Sequence, residues 1–182
     1  MNIKLEFKVE RAFGDPLIKI MVDDTMCSFE GKCPDELTFD IPMTIGSHAL
    51  RITHYGKIDS DQTLDVNNNI LVDKHVEISK IWLDNIELKE ELWEGEFFPV
   101  YNPDYVKDLK AKGIDLSYSI QPNLYLGHNG MWQLWFKYPV ASWLIEKRHD
   151  TIARQLDPDF QSREDELNKV KLFFDSAPEL GW

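Results

Sequence analysis

Residues 1–88 alternate apolar and polar side chains in short runs, and this pattern constrains the fold more than any other feature of the chain. In residues 3–9, for example, Ile3, Leu5 and Phe7 fall on one face of an extended segment. Similar runs recur about every 8–12 residues, separated by Gly, Pro, Asp or Asn, as in β-sandwiches. No helical period interrupts them. The sequence therefore predicts a mainly β, jelly-roll-like antiparallel β-sandwich.

Residues 46–88 contain two strand patterns on either side of an acidic loop. The first strand begins at Gly46-Ser47 and alternates from His48 onwards. The second begins at Val76, and its alternation slips by one residue before Ile81, which predicts a β-bulge. Asp84-Asn85 then predicts a turn into the short strand that follows.

The loop between these two strands is rich in oxygen-bearing side chains. Calcium takes about six to eight oxygen ligands, and Asp and Asn side chains supply them. The loop is therefore a candidate calcium site. The alternative is a solvated loop in which the same residues only form turns. The expected ligands are Asp59, Asp61, Asp65, Asn67 and Asp73.

Aromatic residues crowd the second half of the chain. Asn129-Gly130 is a favoured pair for a type I′ turn, which predicts an added β-hairpin with Tyr125 opposite Leu134. Tyr125 and Trp135 are candidates for a ligand-binding platform, because a flat aromatic face suits the C–H groups of a sugar ring. The alternatives are a packed core and a protein interface, where aromatic residues are also enriched.

Helical patterns are also confined to the second half. Residues 105–112 predict a short helix that ends at Gly113. Residues from Ala141 onwards predict C-terminal helices with an apolar stripe, which either caps the sandwich or contacts a partner. The predicted interface residues are Trp143, Leu167, Val170, Phe173, Phe174 and Trp182. The predicted division is a sandwich core over 1–92, an aromatic extension over 93–140 and a helical segment over 141–182.

The composition and the motifs argue against several classes of function. The net charge of −12 disfavours a nucleic-acid partner, which would require a dense Lys/Arg surface. The chain has no apolar run of about 18 residues, so we expect no membrane span, and its start predicts a strand rather than a signal peptide. Cys27 and Cys33 are expected to be free thiols. The five histidines fit no catalytic or metal motif, so we expect no enzyme.

The chain resembles two groups of proteins. Residues 46–52 (GSHALRI), the acidic loop and residues 76–84 (VEISKIWLD) are similar to small calcium-dependent carbohydrate-binding modules of the xylan-binding type. The same stretch, together with residues 97–101 (FFPVY) and 127–132 (GHNGMW), resembles uncharacterised small proteins of tailed phages, especially cyanophages with contractile tails.

These resemblances imply two functions. The phage resemblance implies a non-enzymatic virion structural protein of the tail, baseplate or fibre region. Such a protein would be made in the host cytoplasm and would have other virion proteins as partners. This is the expected function. The alternative is a calcium-dependent carbohydrate-binding module with a surface polysaccharide as its ligand.

Overall fold

The computed structural model describes residues 1–24, 26–67 and 69–156, which contain twelve strands and two α-helices. The strands are β1 (Asn2–Val9), β2 (Leu17–Val22), β3 (Met26–Lys32), β4 (Glu36–Asp40), β5 (Gly46–Tyr55), β6 (Gln62–Leu64), β7 (Ile70–Asp73), β8 (Val76–Leu83), β9 (Ile86–Leu88), β10 (Glu96–Val100), β11 (Tyr125–Leu126) and β12 (Asn129–Tyr138). The helices are α1 (Pro103–Ala111) and α2 (Val140–Leu156), and a short 3-10 helix spans Glu91–Glu94.

Two antiparallel sheets of five strands form the body of the protein, which confirms the predicted fold class. The first sheet has the order β11-β8-β1-β4, and β9 also pairs with β8. The second sheet has the order β10-β12-β5-β2-β3. β6 and β7 form a separate two-stranded hairpin. The chain passes repeatedly from one sheet to the other, as it does in jelly-roll proteins.

The alternation of side chains determines which residues form the core. On alternate positions of the central strands the side chain is buried, and the residues between these positions are partly or fully exposed. Buried side chains from both sheets form the core: Ile3, Leu5, Phe7, Ile18, Ile20, Val22, Leu50, Ile52, Ile78, Ile81, Leu83, Trp132, Leu134 and Phe136. Burial of each large side chain stabilises the fold by about 1.5–3 kcal/mol.

The predicted bulge in β8 is confirmed. Glu6 pairs with Lys80, but the next residue of β1, Phe7, pairs with Ile78. Ser79 is therefore the additional residue, and its insertion shifts the alternation of β8 by one position.

The predicted turn and short helix are also confirmed. Asp84 and Asn85 have φ angles of 49° and 63° and connect β8 to β9. Positive φ at both central positions is the signature of a type I′ turn, and Asp and Asn tolerate it better than most residues. α1 begins after Asn102, whose side chain accepts a hydrogen bond from the Asp104 N–H at 2.9 Å. It ends before Gly113, which has a φ of 72°.

The hairpin predicted around Asn129-Gly130 is wrong. β11 pairs with β8 in the first sheet, whereas β12 pairs with β5 and β10 in the second. Asn129 is held by a distant segment instead of forming a turn. The Lys57 N–H donates to Asn129 Oδ1 at 2.9 Å, and Asn129 Nδ2 donates to the Lys57 carbonyl at 2.8 Å.

Gly130 is explained by the close approach of a neighbouring strand. It has a φ of 155°, and a Cβ atom at this position would lie 2.4 Å from the Phe98 carbonyl oxygen and 2.9 Å from the Pro99 Cα atom. Both contacts are with the backbone of β10, which cannot move aside without breaking its pairing with β12. Glycine therefore allows β10 to pair with the first residues of β12.

The register of the second sheet brings three chain segments to one edge. Val100, the last residue of β10, pairs with Asn129, the first residue of β12. Gly130 pairs with His54 near the end of β5. Three segments therefore meet at this edge: the segment after β5, the segment after β10 and the segment before β12.

The chain divides into two compact units, and the first spans Met1–Val140. In the second unit, which begins at Ala141, the structure describes the helix α2 as far as Leu156. α2 confirms the predicted helix after residue 141, whereas the predicted last helix lies outside the described residues. None of the described helices is both long enough and apolar enough to cross a lipid bilayer.

Replacement of Gly130 by Ala should reduce the free energy of unfolding by about 1–3 kcal/mol more than replacement of Gly46 by Ala. Gly46 is the matched control, because its φ of 143° is similar but a Cβ atom there would have no neighbour within 4 Å. Both changes place a side chain at positive φ, so the difference measures the clash with β10. Urea denaturation checks it, and equal losses would contradict the close approach.

Candidate functional site

A cleft of about 900 Å³ lies between two parts of the first unit. One wall comes from the segment after β5 and from the β6–β7 hairpin, and the other from the segment 100–112, which includes α1. His128 and Asn129 also line the cleft. The lining residues are Lys57, Ile58, Asp59, Gln62, Leu64, Ile70, residues 100–105, Asp108, Lys112, His128 and Asn129. A volume of about 300–1,000 Å³ is typical of small-molecule sites.

Three aromatic rings form a cluster in this cleft. The ring centroids lie 5.1 Å apart for Tyr101 and His128, 6.2 Å for Tyr101 and Tyr105, and 6.2 Å for Tyr105 and His128. Tyr105 is 46% exposed, so part of its ring is free to contact a ligand. The Tyr101 hydroxyl donates to the Ser117 carbonyl at 3.3 Å, which orients that ring. The cluster thus presents aromatic surface and polar atoms to the same space.

Partial burial shifts the pKa values of His128 and Tyr101 in this cluster. Desolvation lowers the pKa of His128, and the nearby Lys57 ammonium lowers it further. At neutral pH the His128 ring is therefore uncharged, with one nitrogen able to donate and the other able to accept a hydrogen bond. Desolvation also raises the pKa of Tyr101, and the neighbouring Tyr105 adds to this effect.

Side-chain amides hold the two walls in place. Asn102 Nδ2 donates to Asp59 Oδ2 at 2.7 Å and so joins the wall that contains α1 to the wall that follows β5. Its Oδ1 atom caps α1 by accepting from the Asp104 N–H. Asn129 bonds to both backbone groups of Lys57 in the segment that follows β5. The cleft is therefore fixed by hydrogen bonds between segments that are distant in sequence.

A buried ion pair joins the segment after β5 to the end of β7. Lys57 Nζ donates to Asp73 Oδ1 and to the Gly127 carbonyl, and the two charged side chains are 10% and 6% exposed. Tyr125 donates its hydroxyl to Asp73 Oδ2 at 3.0 Å, and its ring lies 4.5 Å from the His75 ring. Burial raises the pKa of Tyr125, and the Asp73 carboxylate raises it further. This network satisfies both oxygens of Asp73.

Asp61, a second expected calcium ligand, also pairs with a lysine. Its Oδ2 atom accepts from the Ile58 N–H at 3.1 Å and from Lys74 Nζ at 3.2 Å. Burial acts to raise the pKa of Asp61, but the two hydrogen bonds and the lysine charges outweigh it, so this pKa is lowered. Asp61 is therefore a carboxylate that already has two donors.

The other expected calcium ligands lie in different surroundings. Asp65 accepts bonds from the Asn67 and Asn69 backbone N–H groups at 2.7 and 2.8 Å and from the Asn69 side chain at 2.8 Å. Asp59 accepts from Asn102, as described above. Across residues 1–24, 26–67 and 69–156, no three His, Cys, Asp or Glu side chains form a group that could hold a metal ion. The five expected ligands are thus not gathered around one point, and calcium binding stays a prediction.

The two aromatic residues of the expected sugar platform lie in different sheets. Tyr125 belongs to β11 and pairs with Glu77 of β8, whereas Trp135 belongs to β12 and pairs with Ala49 of β5. Trp135 is 58% exposed on the outer face of the second sheet. Tyr125 is tied to Asp73. The structure does not bring these two rings together as cross-strand neighbours, and sugar binding by either one stays a prediction.

The predicted interface residues can be located only in part. Trp143 of α2 is 5% exposed, and Lys147 Nζ lies 5.0 Å from the centroid of its ring. The other five, Leu167, Val170, Phe173, Phe174 and Trp182, lie outside the described residues. Their role at an interface stays a prediction.

Sequence analysis did not identify the cluster of Tyr101, Tyr105 and His128. A local signal exists for two of them, because Tyr101 and Tyr105 flank the start of α1 beside the capping residue Asn102. No local signal connects them to His128, which the pairing of β10 with β12 brings alongside.

Comparisons with known proteins give one structural similarity. No protein-family model matches the chain, and no curated protein matches it in sequence. A solved structure described as vCBM60 in complex with galactobiose, a carbohydrate-binding module, is similar in structure with a TM-score of 0.43 and 12% sequence identity. The match covers 74% of this chain and 97% of that one. At this TM-score the similarity carries no argument about function, which has to be argued from the cleft itself.

The buried Lys57–Asp73 ion pair should show strong energetic coupling. Lys57→Met and Asp73→Asn each leave a buried partner without its counterpart, so each should cost about 3–5 kcal/mol of unfolding free energy. The double variant should cost less than the sum of the two by about 1–3 kcal/mol. Urea denaturation of the four proteins measures this coupling.

The exposed pair Lys8–Glu77, with an Nζ–Oε1 distance of 2.8 Å, is the matched control. Its coupling, measured with Lys8→Met and Glu77→Gln, should be below about 1 kcal/mol. Similar coupling for the two pairs would show that Lys57 and Asp73 are not a buried structural pair.

Proposed function

We propose that this chain is a non-catalytic carbohydrate-binding domain whose cleft holds a segment of polysaccharide. The observation that carries the proposal is the cluster of Tyr101, Tyr105 and His128 in a cleft of about 900 Å³ that is also lined by apolar side chains, amides, carboxylates and two lysines. This combination matches the two kinds of surface that a sugar presents.

A pyranose ring has C–H groups on its faces and hydroxyl groups around its rim. The exposed ring of Tyr105 supplies a flat surface for the C–H groups, and apolar contact with aromatic rings is favourable because they bury a large area with little loss of conformational freedom. Side chains such as Gln62 and Asp104 supply donors and acceptors for the hydroxyls. A few polar groups that converge on an apolar surface are the usual composition of a ligand site.

The carboxyl groups of the cleft suit the binding of a sugar. Among the described residues, Asp59, Asp104 and Asp108 bring carboxylates to the cleft as acceptors for hydroxyl groups.

The expected role in a phage particle stays a prediction. The comparisons give no match to a virion protein, and five of the six residues expected at a virion interface lie outside the described part of the chain. The cleft is a specific observation in favour of a ligand, so carbohydrate binding is the function proposed here.

Removal of the Tyr105 ring should weaken binding. Affinity electrophoresis through gels that contain neutral plant or microbial polysaccharides identifies a ligand, and titration calorimetry then measures its Kd. We expect Tyr105→Ala to raise the Kd about three- to tenfold, because one aromatic contact contributes about 0.5–1.5 kcal/mol. Thermal unfolding of the variant checks that the fold is retained.

Two further variants make this experiment decisive. Tyr118 is 85% exposed and does not line the cleft, so Tyr118→Ala should leave the Kd unchanged. Trp135→Ala tests the outer face of the second sheet. Loss of binding in Trp135→Ala, with wild-type affinity in Tyr105→Ala, would move the site away from the cleft. Absence of binding to every neutral polysaccharide would contradict the proposed function.

A further inference from the structure

We propose that the cleft selects uncharged polysaccharides and rejects anionic ones through the carboxylates of Asp59, Asp104 and Asp108. This inference rests on the function proposed above and concerns the ligand of the same site. It adds to that function by assigning the selection between uncharged and anionic polysaccharides to specific charged side chains. Uronate and sulfate groups on a polysaccharide are the anionic groups in question.

The three carboxylates face the cleft from both walls. Asp104 and Asp108 lie four residues apart on α1, so they occupy the same side of the helix, and both line the cleft. Asp59 lines the opposite wall and is held there by Asn102. All three side chains are exposed, so their carboxyl groups meet an entering ligand directly.

The two lysines that line the cleft do not balance these charges. Lys57 Nζ points to Asp73 and to the Gly127 carbonyl, and this buried carboxylate already neutralises it. Lys112 Nζ lies 3.4 Å from Asp108 Oδ2 and offsets one carboxylate of the three. Negative charge therefore remains in excess in the cleft, and the net charge of −12 on the whole chain adds to the repulsion.

The range of the repulsion between the cleft carboxylates and an anionic ligand depends on the salt concentration. Exposed charges interact over about 8 Å at physiological ionic strength, but over only about 3 Å in 1 M salt. An anionic group bound in the cleft would be repelled by the carboxylates at physiological ionic strength, whereas 1 M salt would screen most of this repulsion. Selection by charge should therefore disappear at high salt, whereas selection by shape should persist.

The test compares two derivatives of one polysaccharide. The probes are the hydroxyethyl and carboxymethyl ethers of the neutral polysaccharide that binds best to the wild-type chain, matched in degree of substitution. The measured quantity is the ratio of the Kd for the carboxymethyl ether to that for the hydroxyethyl ether. We expect a ratio of about ten in low salt, the size of one to a few surface charge repulsions, and a ratio near one in 1 M NaCl.

Charge-removal variants then locate the effect. Asp104→Asn/Asp108→Asn should lower the low-salt ratio severalfold. Glu87→Gln/Glu90→Gln removes the same charge from exposed positions that do not line the cleft, and should leave the ratio unchanged. A wild-type ratio near one, or an equal fall in both double variants, would overturn the charge selection while the proposed function stands. If no neutral polysaccharide binds, the proposed function itself fails.

Discussion

The pairing of β5 with β12 forms the centre of the second sheet. Nine residue pairs join the two strands, from Gly46 with Tyr138 to His54 with Gly130. β12 also pairs with β10, so it lies in the interior of the second sheet and contributes Trp132, Leu134 and Phe136 to the core. Because these strands are far apart in sequence, their pairing closes a long loop, and burial of apolar area has to offset the entropy of that closure.

The position of the cleft follows from the same pairing. β5 ends next to the start of β12, and β10 ends opposite Asn129. The residues that come next in each segment are therefore neighbours: Lys57 after β5, Tyr101 after β10 and His128 before β12. Hydrogen bonds from Asn102 and Asn129 then hold these segments together. The Lys57–Asp73 pair joins the segment after β5 to the end of β7. The proposed ligand site lies there because the sheet register brings an aromatic cluster to the end of the sandwich.

The strands could be predicted from the sequence because alternation is a local signal. It predicted the central strands, the shift of alternation at Ser79 and the turn at Asp84-Asn85. The partners of Asn129 and Gly130 could not be predicted, because Lys57 and Phe98 are distant in sequence. Taken without these partners, Asn129-Gly130 has the local sequence signature of a hairpin turn. The candidate site could be predicted less well than the strands. The sequence of the acidic loop shows its Asp and Asn residues, but it does not reveal that Lys57 and Lys74 contact two of the carboxylates.

Ligand binding by the cleft beside Tyr105 can be tested directly. A series of amide NMR spectra, recorded while a neutral oligosaccharide is added to the isotope-labelled chain, maps the binding surface residue by residue. If the cleft is the binding site, we expect the largest shifts at Asn102, Tyr105 and His128, with small shifts around Trp135. Shifts centred on Trp135, or a spectrum that stays unchanged at millimolar oligosaccharide, would contradict it.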